Sequence, residues 1–527
     1  MKARAVALPA AGKAWVPWTC AVGSGLLTVA AFPNWNWGPL AFVSLVPFLV
    51  VLRGASPRRG FALGLAWGLA FYLGALYWVT YVMVTYGHMA RPFALLGWVS
   101  LAVILAGYPA LFGWAAAWLG GLGPAAWALA ASVLWVAVEF LRTYLWTGFP
   151  WVLLGYSQGS FLEVIQVAKI AGVYGVSFLV VLANAALAAT TTCPEAPPWR
   201  RAMPLGLAAL LLAGAVGYGR AVLGKPSPPA EVPVGLVQGN IEQGIKWDPH
   251  MQEATLEKYR RLTVDVARER PALVIWPEAA MPFSIRTDRV LGPRVLAVPR
   301  EVQVPVLLGG PDLLGRRRYD NSMFLVGETG EILGKYAKRH LVPFGEYVPW
   351  QSLFFFMDKL AVGIGDFVPG REVTIFSGPF GRFSVSICYE VIFPNEVRQG
   401  VRRGAYFLVN VTNDAWFGRT SAPYQHLVMS AFRAAENDVY MVRVANTGIS
   451  AIIEPSGRIT RATALFSDAA FVGRIGLRGG GTFYTRHGDV FAWACSVAAA
   501  ALLLAGLRGR RRAPSRSPRP RRGSGNR

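Results

Sequence analysis

Charge is what this 527-residue chain has least of: Asp, Glu, Lys and Arg together make up 15%, where soluble globular proteins carry about 25%. Beside 54% hydrophobic residues, that deficit excludes one ordinary soluble domain and points to several membrane spans. Acids are the scarcer sign, 29 against 52 Lys and Arg. The basic excess is not spread as a nucleic-acid face would be. Nine arginines and no acid fall between Arg508 and Arg527, so residues 508–527 read as a disordered cytoplasmic tail near anionic headgroups. RNA contact by that tail is the lesser alternative, and no nucleic acid is expected as a partner. Cysteine is scarce too, at four. Cys20 and Cys495 lie in apolar runs and Cys193 at the end of another, which excludes a disulfide framework, and no zinc spacing is present. Only Cys388 belongs to the long polar region. It has no intradomain partner there, so its thiol stays free even in an oxidising compartment. No metal and no cofactor is called for.

What is abundant is apolar sequence in long runs. Stretches at 19–32, 39–52, 61–84, 93–119, 124–146, 161–190 and 202–222, with one more at 488–507, approach or exceed the ~20 residues a spanning helix needs. They predict a polytopic helical bundle of about eight transmembrane helices, seven of them in a membrane domain at 1–224. The first run is followed by Phe32-Pro33-Asn34-Trp35 rather than a small-residue cleavage site, so it is kept as a helix, not a signal peptide. Basic loops set the orientation. Lys2, Arg4 and Lys13, then Arg53, Arg58 and Arg59, then Arg200 and Arg201 all fall inside if the N-terminus is cytoplasmic. Seven helices then place the following domain outside the cytoplasmic (inner) membrane, and the C-terminus returns inside.

After a linker at 225–231, rich in proline, the pattern changes over 232–478. Short apolar runs at 234–237, 273–276, 304–308, 383–387 and 407–411 alternate with helix-like stretches at 251–268 and 421–437, the signature of an α/β layered domain. Phe354, Phe355 and Phe356 interrupt it in a loop-like stretch. A buried core turn would explain them in an ordinary protein. Beside a bilayer, they are read as a membrane-dipping lid.

Three motifs carry ionisable residues just past strands, where α/β folds build sites: Trp276-Pro277-Glu278, Lys338 through Glu346, and Ser386-Ile387-Cys388-Tyr389-Glu390. Each alone has a dull explanation: a strand-end cysteine is usually a small buried hydrophobe, and Lys338 beside Arg339 a solvated face. Together they make chemistry. A thiolate is the nucleophile a thiol is not. Glu278 can take the Cys388 proton during attack on an ester carbonyl. Lys338 can stabilise thiolate and oxyanion, and the backbone N–H of Tyr389 can add a second oxyanion donor. Glu346 would hold Lys338 charged and oriented.

Carboxylate, ammonium and thiol in this order resemble the nitrilase superfamily, which implies an α-β-β-α sandwich with the three side chains converging. The resemblance narrows with residues 238–243, Trp247, 340–346, Cys388-Tyr389-Glu390, 413–418 and Thr147-Gly148-Phe149-Pro150-Trp151. These are similar to the apolipoprotein N-acyltransferase family, from the first helix to the eighth. It implies Glu278, Lys338 and Cys388 as catalytic residues, with Trp247, Glu346, Tyr389 and Glu390 in support. Trp151, Trp416 and the Phe354–Phe356 cluster are candidate substrate or lid residues. It also implies a ping-pong transfer without metal or cofactor. The donor would be a phospholipid, typically phosphatidylethanolamine, and the acceptor the diacylglyceryl-cysteine of a lipoprotein, both met in the membrane. Two rival readings are a membrane-tethered amidase and a non-catalytic partner of a polyprenol-phosphate glycosyltransferase. The first leaves the helices and the Phe cluster without a role, and the second leaves the intact triad without one.

Overall fold

The computed structural model describes residues 14–225, 229–315, 318–349 and 366–511. Phe354, Phe355 and Phe356 lie outside these residues, as do 226–228 of the linker and the tail beyond 511.

Among the described residues, five helices are long and apolar enough to cross a membrane: Arg91–Trp118, Pro124–Tyr144, Ala168–Thr191, Pro198–Leu223 and Val490–Arg508. A sixth span results if Pro57–Ala75 and Trp78–Thr85, bent by 55°, count as one. The first two expected runs are helical but short. Val16–Ala30 has 15 residues, and Gly38–Arg53 is likewise below spanning length. Near the start of the second, Asn184 steps in, accepting from the Leu45 N–H and donating to the Ala41 carbonyl, each at 2.8 Å.

Small residues let the bundle close. Gly60, Gly64 and Gly68 recur every four residues on one face of Pro57–Ala75, against the helix Arg91–Trp118. A Cβ on Gly64 would sit 2.1 Å from the Pro109 carbonyl oxygen, and one on Gly60 2.4 Å from that of Gly113. The stripe therefore brings the two backbones into contact, as small-residue faces do between membrane helices.

The α/β domain holds two sheets. The first contains β1 (Val232–Gln238), β2 (Leu273–Ile275), β3 (Val306–Gly315), β4 (Arg318–Val326), β5 (Ile332–Ala337) and β6 (Asp366–Phe367). The second contains β7 (Ile375–Gly378), β8 (Gly381–Ile387), β9 (Phe407–Thr412), β10 (Tyr440–Ala445), β11 (Ala451–Ile453) and β12 (Ile459–Ala462), and β13 (Ala469–Ile475) returns to the first. The orders are β13-β1-β2-β3-β4-β5, with β6 on β4, and β12-β11-β10-β9-β8-β7.

Alternation along the strands assigns the layers. Phe407, Val409 and Val411 join Val234, Leu236 and Ile275 in the core between the sheets, while Leu408 faces the other way. Helices Gln252–Ala267 and Leu291–Val302 cover the first sheet through Leu256, Tyr259, Val295 and Val298. Helices Pro394–Arg402 and Ala422–Asn437 cover the second. The result is helix, sheet, sheet, helix. The outer face of the last layer does not meet water: Met429 and Phe432 share one apolar cluster with the bundle residues Trp67, Trp151 and Tyr156. The α/β domain is thus seated on the membrane half, with Ala422–Asn437 buried at the seam.

Candidate active site

Three strand ends meet. β2 runs out three residues before Glu278, β5 one residue before Lys338 and β8 one residue before Cys388. Lys338 Nζ lies 3.3 Å from Glu278 Oε1 and 3.0 Å from Glu346 Oε1, with only 1% of the lysine exposed. Asn321, in the middle of β4, donates to Glu278 Oε1 at 2.8 Å and to Glu346 Oε1 at 3.2 Å. The second oxygen of Glu278 accepts from the backbone N–H of Asn413 at 2.9 Å. The second oxygen of Glu346 accepts from Val342 N at 2.8 Å. Each carboxylate is therefore aimed by two independent elements.

Burial works against the Lys338 ammonium, but Glu346 and Glu278 outweigh it and hold its pKa above the usual lysine value. Burial pushes the Cys388 thiol well up, and Glu278 adds to the rise, while Lys338 and a hydrogen bond from Thr412 oppose it. At rest the sulfur is a thiol, so a base must take its proton as it attacks.

Cys388 sits at φ +51°, a left-handed turn that costs a non-glycine residue energy and persists only when its surroundings hold it. Two clamps do so. On one side, Glu390 accepts from Ile387 N at 2.6 Å, Arg339 N at 2.6 Å, His340 N at 3.2 Å and Tyr336 Oη at 2.8 Å. One buried carboxyl thus joins the loop after Lys338 to the turn of Cys388; burial raises its pKa. On the other side, His426 Nε2 reaches the Cys388 carbonyl oxygen at 3.2 Å. Behind it, Nδ1 meets Asp414 Oδ1 at 3.1 Å and Arg443 Nη2 at 3.0 Å. Burial and Arg443 lower the His426 pKa. Against its own burial, Asp414 is held well below the usual carboxylate range by Arg443 and His426.

The other sequence candidates fall at different distances from the sulfur. Tyr389 is buried, and its hydroxyl donates to the Gly148 carbonyl of the membrane half at 3.2 Å. Trp247 is half-buried on the loop after β1. Trp416 stands edge-on to Tyr86 with ring centroids 5.0 Å apart. Trp151 is 1% exposed and stacks on His426 at 5.5 Å, its indole N–H donating to Gln425 Oε1 at 2.7 Å. It packs behind the nucleophile turn.

Sequence reasoning passed over Lys246, Asn321, His426, Arg443 and Gln425. Lys246 is 1% exposed, and its Nζ donates to the Glu278 carbonyl oxygen at 3.3 Å. Burial lowers its pKa to about 8, with Glu278 and Cys388 opposing. The available signal was its place between 238–243 and Trp247, each already singled out.

Comparison with known proteins bears on both halves. A family model described as the apolipoprotein N-acyltransferase N-terminal domain matches residues 24–186, and one described as carbon-nitrogen hydrolase matches 233–475. A protein of Geobacter metallireducens named apolipoprotein N-acyltransferase is 43% identical over 92% of this chain and 94% of its own. Relatives of the same name from Nitrosomonas europaea and Azotobacter vinelandii are 34% and 36% identical, covering 89% and 95% of this chain and 93% and 96% of theirs. One similarity therefore runs through the apolar helices, the two sheets and the strand ends that carry Glu278, Lys338 and Cys388, and on it this membrane protein belongs to the apolipoprotein N-acyltransferase family.

Proposed function

We propose that the chain transfers a fatty acyl chain from a phospholipid, through a thioester on Cys388, to the α-amino group of the N-terminal diacylglyceryl-cysteine of a lipoprotein. The observation that carries this reading is the convergence of Glu278, Lys338 and Cys388 at three strand ends, in a domain seated on membrane helices.

The chemistry follows from the geometry. Glu278 takes the proton of Cys388 as the sulfur attacks the ester carbonyl, and the carbonyl π electrons move to oxygen. Lys338, held by Glu346, faces that oxyanion, and the backbone N–H of Tyr389 is its second donor. Collapse breaks the ester C–O bond. The departing lysophospholipid oxygen takes the proton back from Glu278. The amine of the acceptor then attacks the thioester, Glu278 removes its proton and passes it to the sulfur as the C–S bond breaks, and Cys388 leaves as the thiol. Water has to be kept out between the two halves, since hydrolysis would turn a transferase into a lipase. Phosphatidylethanolamine, acylated at sn-1, is the proposed donor. Trp247, Trp416, Trp151 and the Phe354, Phe355 and Phe356 cluster are proposed to border the lipid path. Trp416 rests on Tyr86, at the end of the helix Trp78–Thr85, which supports its placement there.

Eight passes through the cytoplasmic membrane are part of the proposal, the two short N-terminal helices and the bent pair included. Both termini are cytoplasmic and the α/β domain faces outward, as the basic loops at Arg53, Arg58, Arg59, Arg200 and Arg201 favour.

The test uses purified protein in detergent with phosphatidylethanolamine labelled on its sn-1 chain, read by intact mass. Hydroxylamine-labile label on the wild type, absent from Cys388→Ser, is the expected result. A folded wild type that never takes label overturns the thioester route and favours the small-molecule amidase or the scaffold. A labelled enzyme that passes its chain to a small amine but not to a diacylglyceryl peptide overturns the acceptor.

A further inference from the structure

The buried cluster around Cys388 contains a lysine that the mechanism above does not use. Lys246 is 1% exposed, and an ammonium that far from water needs compensation. Its placement is not accidental slack in a loop. The stretch after β1 is clamped ahead of the lysine. Asn240 N donates to the Asn446 carbonyl at 2.9 Å, Ile241 N to Asn446 Oδ1 at 2.9 Å, and Asn446 Nδ2 back to the Ile241 carbonyl at 2.7 Å. Asn413 Nδ2 donates to Gln243 Oε1 at 2.6 Å while its own backbone N–H holds Glu278 Oε2. Lys246 Nζ then closes onto the Glu278 carbonyl oxygen at 3.3 Å. Loop, base and the turn after β9 form one locked unit.

Counting charges shows what the lysine supplies. At rest the cluster holds Glu278 and Glu346 as carboxylates, Lys338 and Lys246 as ammonium groups, and a neutral thiol. It is neutral with Lys246 and carries one net negative charge without it. In the tetrahedral state Glu278 has gained the thiol proton, and the negative charge has moved to the substrate oxygen. The sum is again zero with Lys246 and minus one without. Other charged groups stand around it: Asp414 is paired with Arg443 at 2.7 Å, next to a His426 whose pKa is lowered, Arg339 is paired with Glu396 at 3.6 Å, and burial raises the pKa of Glu390. Where the effective dielectric is low, an uncompensated charge is expensive in both states. Lys338 cannot do both tasks, because its Nζ is already divided between Glu278 and Glu346.

We infer that Lys246 is a positioning residue of the acyl-transfer site, a second buried cation that balances the charge of the Glu278–Lys338–Glu346 cluster and so favours the Cys388 thiolate, since loss of the thiol proton leaves the cluster less negative with Lys246 than without it. The inference deepens the proposed acyl transfer and rests on it for the use of that thiolate; the charge balance stands without it. Electrostatic contact of Lys246 with both Glu278 and Cys388 supports it.

The decisive experiment measures the rate of Cys388 alkylation by iodoacetamide at neutral pH, below the pKa of Lys246, followed by peptide mapping, in full-length wild type, Lys246→Met and Lys246→Arg. Melting in the same detergent confirms that each is folded. Loss of the cation is expected to slow alkylation about tenfold or more, the rate equivalent of the one pH unit that a neighbouring opposite charge produces. Lys246→Arg should alkylate near the wild-type rate, since it retains the charge. A folded Lys246→Met that alkylates at the wild-type rate overturns the inference, as does a Lys246→Arg slowed as far as the methionine variant. Iodoacetamide needs no lipid. A protein whose variants show this rate pattern, while the wild type never accepts an acyl chain, would therefore break the acyl-transfer reading and leave the charge role of Lys246 standing.

Discussion

The turn of Cys388 is gripped from the sheet side and from the membrane side, and the two grips differ in kind. On the sheet side the partners are carboxyls: Glu390 gathers three backbone N–H groups and a phenol, and Glu278 and Glu346 divide Lys338 between them. On the membrane side the contacts are mostly neutral amides and rings. Gln425 Oε1 accepts from Trp151 at 2.7 Å and Trp78 at 3.2 Å, and its Nε2 donates to the Ala75 carbonyl at 3.1 Å, where the helix pair 57–75 and 78–85 bends. Trp151 in turn stacks on His426. The sheet side fixes charges whose positions decide a reaction. The seam joins two halves over an apolar cluster, where directional neutral bonds beside the turn select one docking, and buried ion pairs, Lys169 with Asp438 and Arg433 with Glu436, add to it.

If this division is right, the largest effect comes from emptying the carboxyl grip. Glu390→Ala leaves four buried donors without an acceptor, at about 1–3 kcal/mol each, so it should fail to yield a folded domain or melt far below wild type in detergent. Glu390→Gln keeps one acceptor oxygen and should fold with a smaller loss. Equal melting of the two variants would show that Glu390 is filler.

Next in size is a change that separates charge from chemistry. Glu278→Gln removes the base, and acyl-enzyme formation should drop about 10²–10⁴-fold, the usual worth of a general base. Burial and Glu278 together hold the thiol pKa up, so the same substitution should lower the midpoint of Cys388 alkylation and quicken it at neutral pH. Reactivity and catalysis move in opposite directions. A variant that slows both would place Glu278 as a scaffold rather than as base and neighbouring charge.

Breaking the seam should cost less. Gln425→Leu strands two indole N–H groups and is expected to lower stability by about 1–3 kcal/mol, read as a drop in melting temperature, with acyl uptake within about tenfold of wild type. A loss as large as that of Glu278→Gln would mean that the membrane half tunes the site directly.

The same division explains what could be read in advance. Glu278 and Cys388 were legible because each closes an apolar run, whose strand end is visible in one sequence, and Lys338 because it opens the motif that ends at Glu346. The strands at β1, β8 and β9 and the helices over 252–267 and 422–437 were legible from period and composition. Asn321 was not, since a mid-strand asparagine matters only once β4 lies beside β3 and β5. His426 and Gln425 occupy successive positions in a helix, and their roles depend on which face meets the bundle. Lys246 was one lysine among many until burial singled it out. The lengths of the N-terminal helices were not legible for a different reason: an apolar run reports solvent, whereas its helical length depends on breaks such as the one that Asn184 satisfies at Leu45.

The smallest change tests whether the seam is graded by its hydrogen bonds or by its rings. Tyr86 donates its hydroxyl to the Ala415 carbonyl at 3.0 Å, next to Trp416, on which its ring stands edge-on. Tyr86→Phe deletes the hydrogen bond and keeps the ring pair, so the expected loss is about 0.5–1.5 kcal/mol, a shift of a few degrees at most in melting, with acyl transfer near wild type. Trp416→Ala deletes the ring pair and leaves the hydroxyl its acceptor. If the phenylalanine variant loses more than the alanine variant, the seam is held by polar contacts as the sheet side is. If the order is reversed, the rings carry the docking, and the contrast between the two grips on Cys388 holds down to a single aromatic pair.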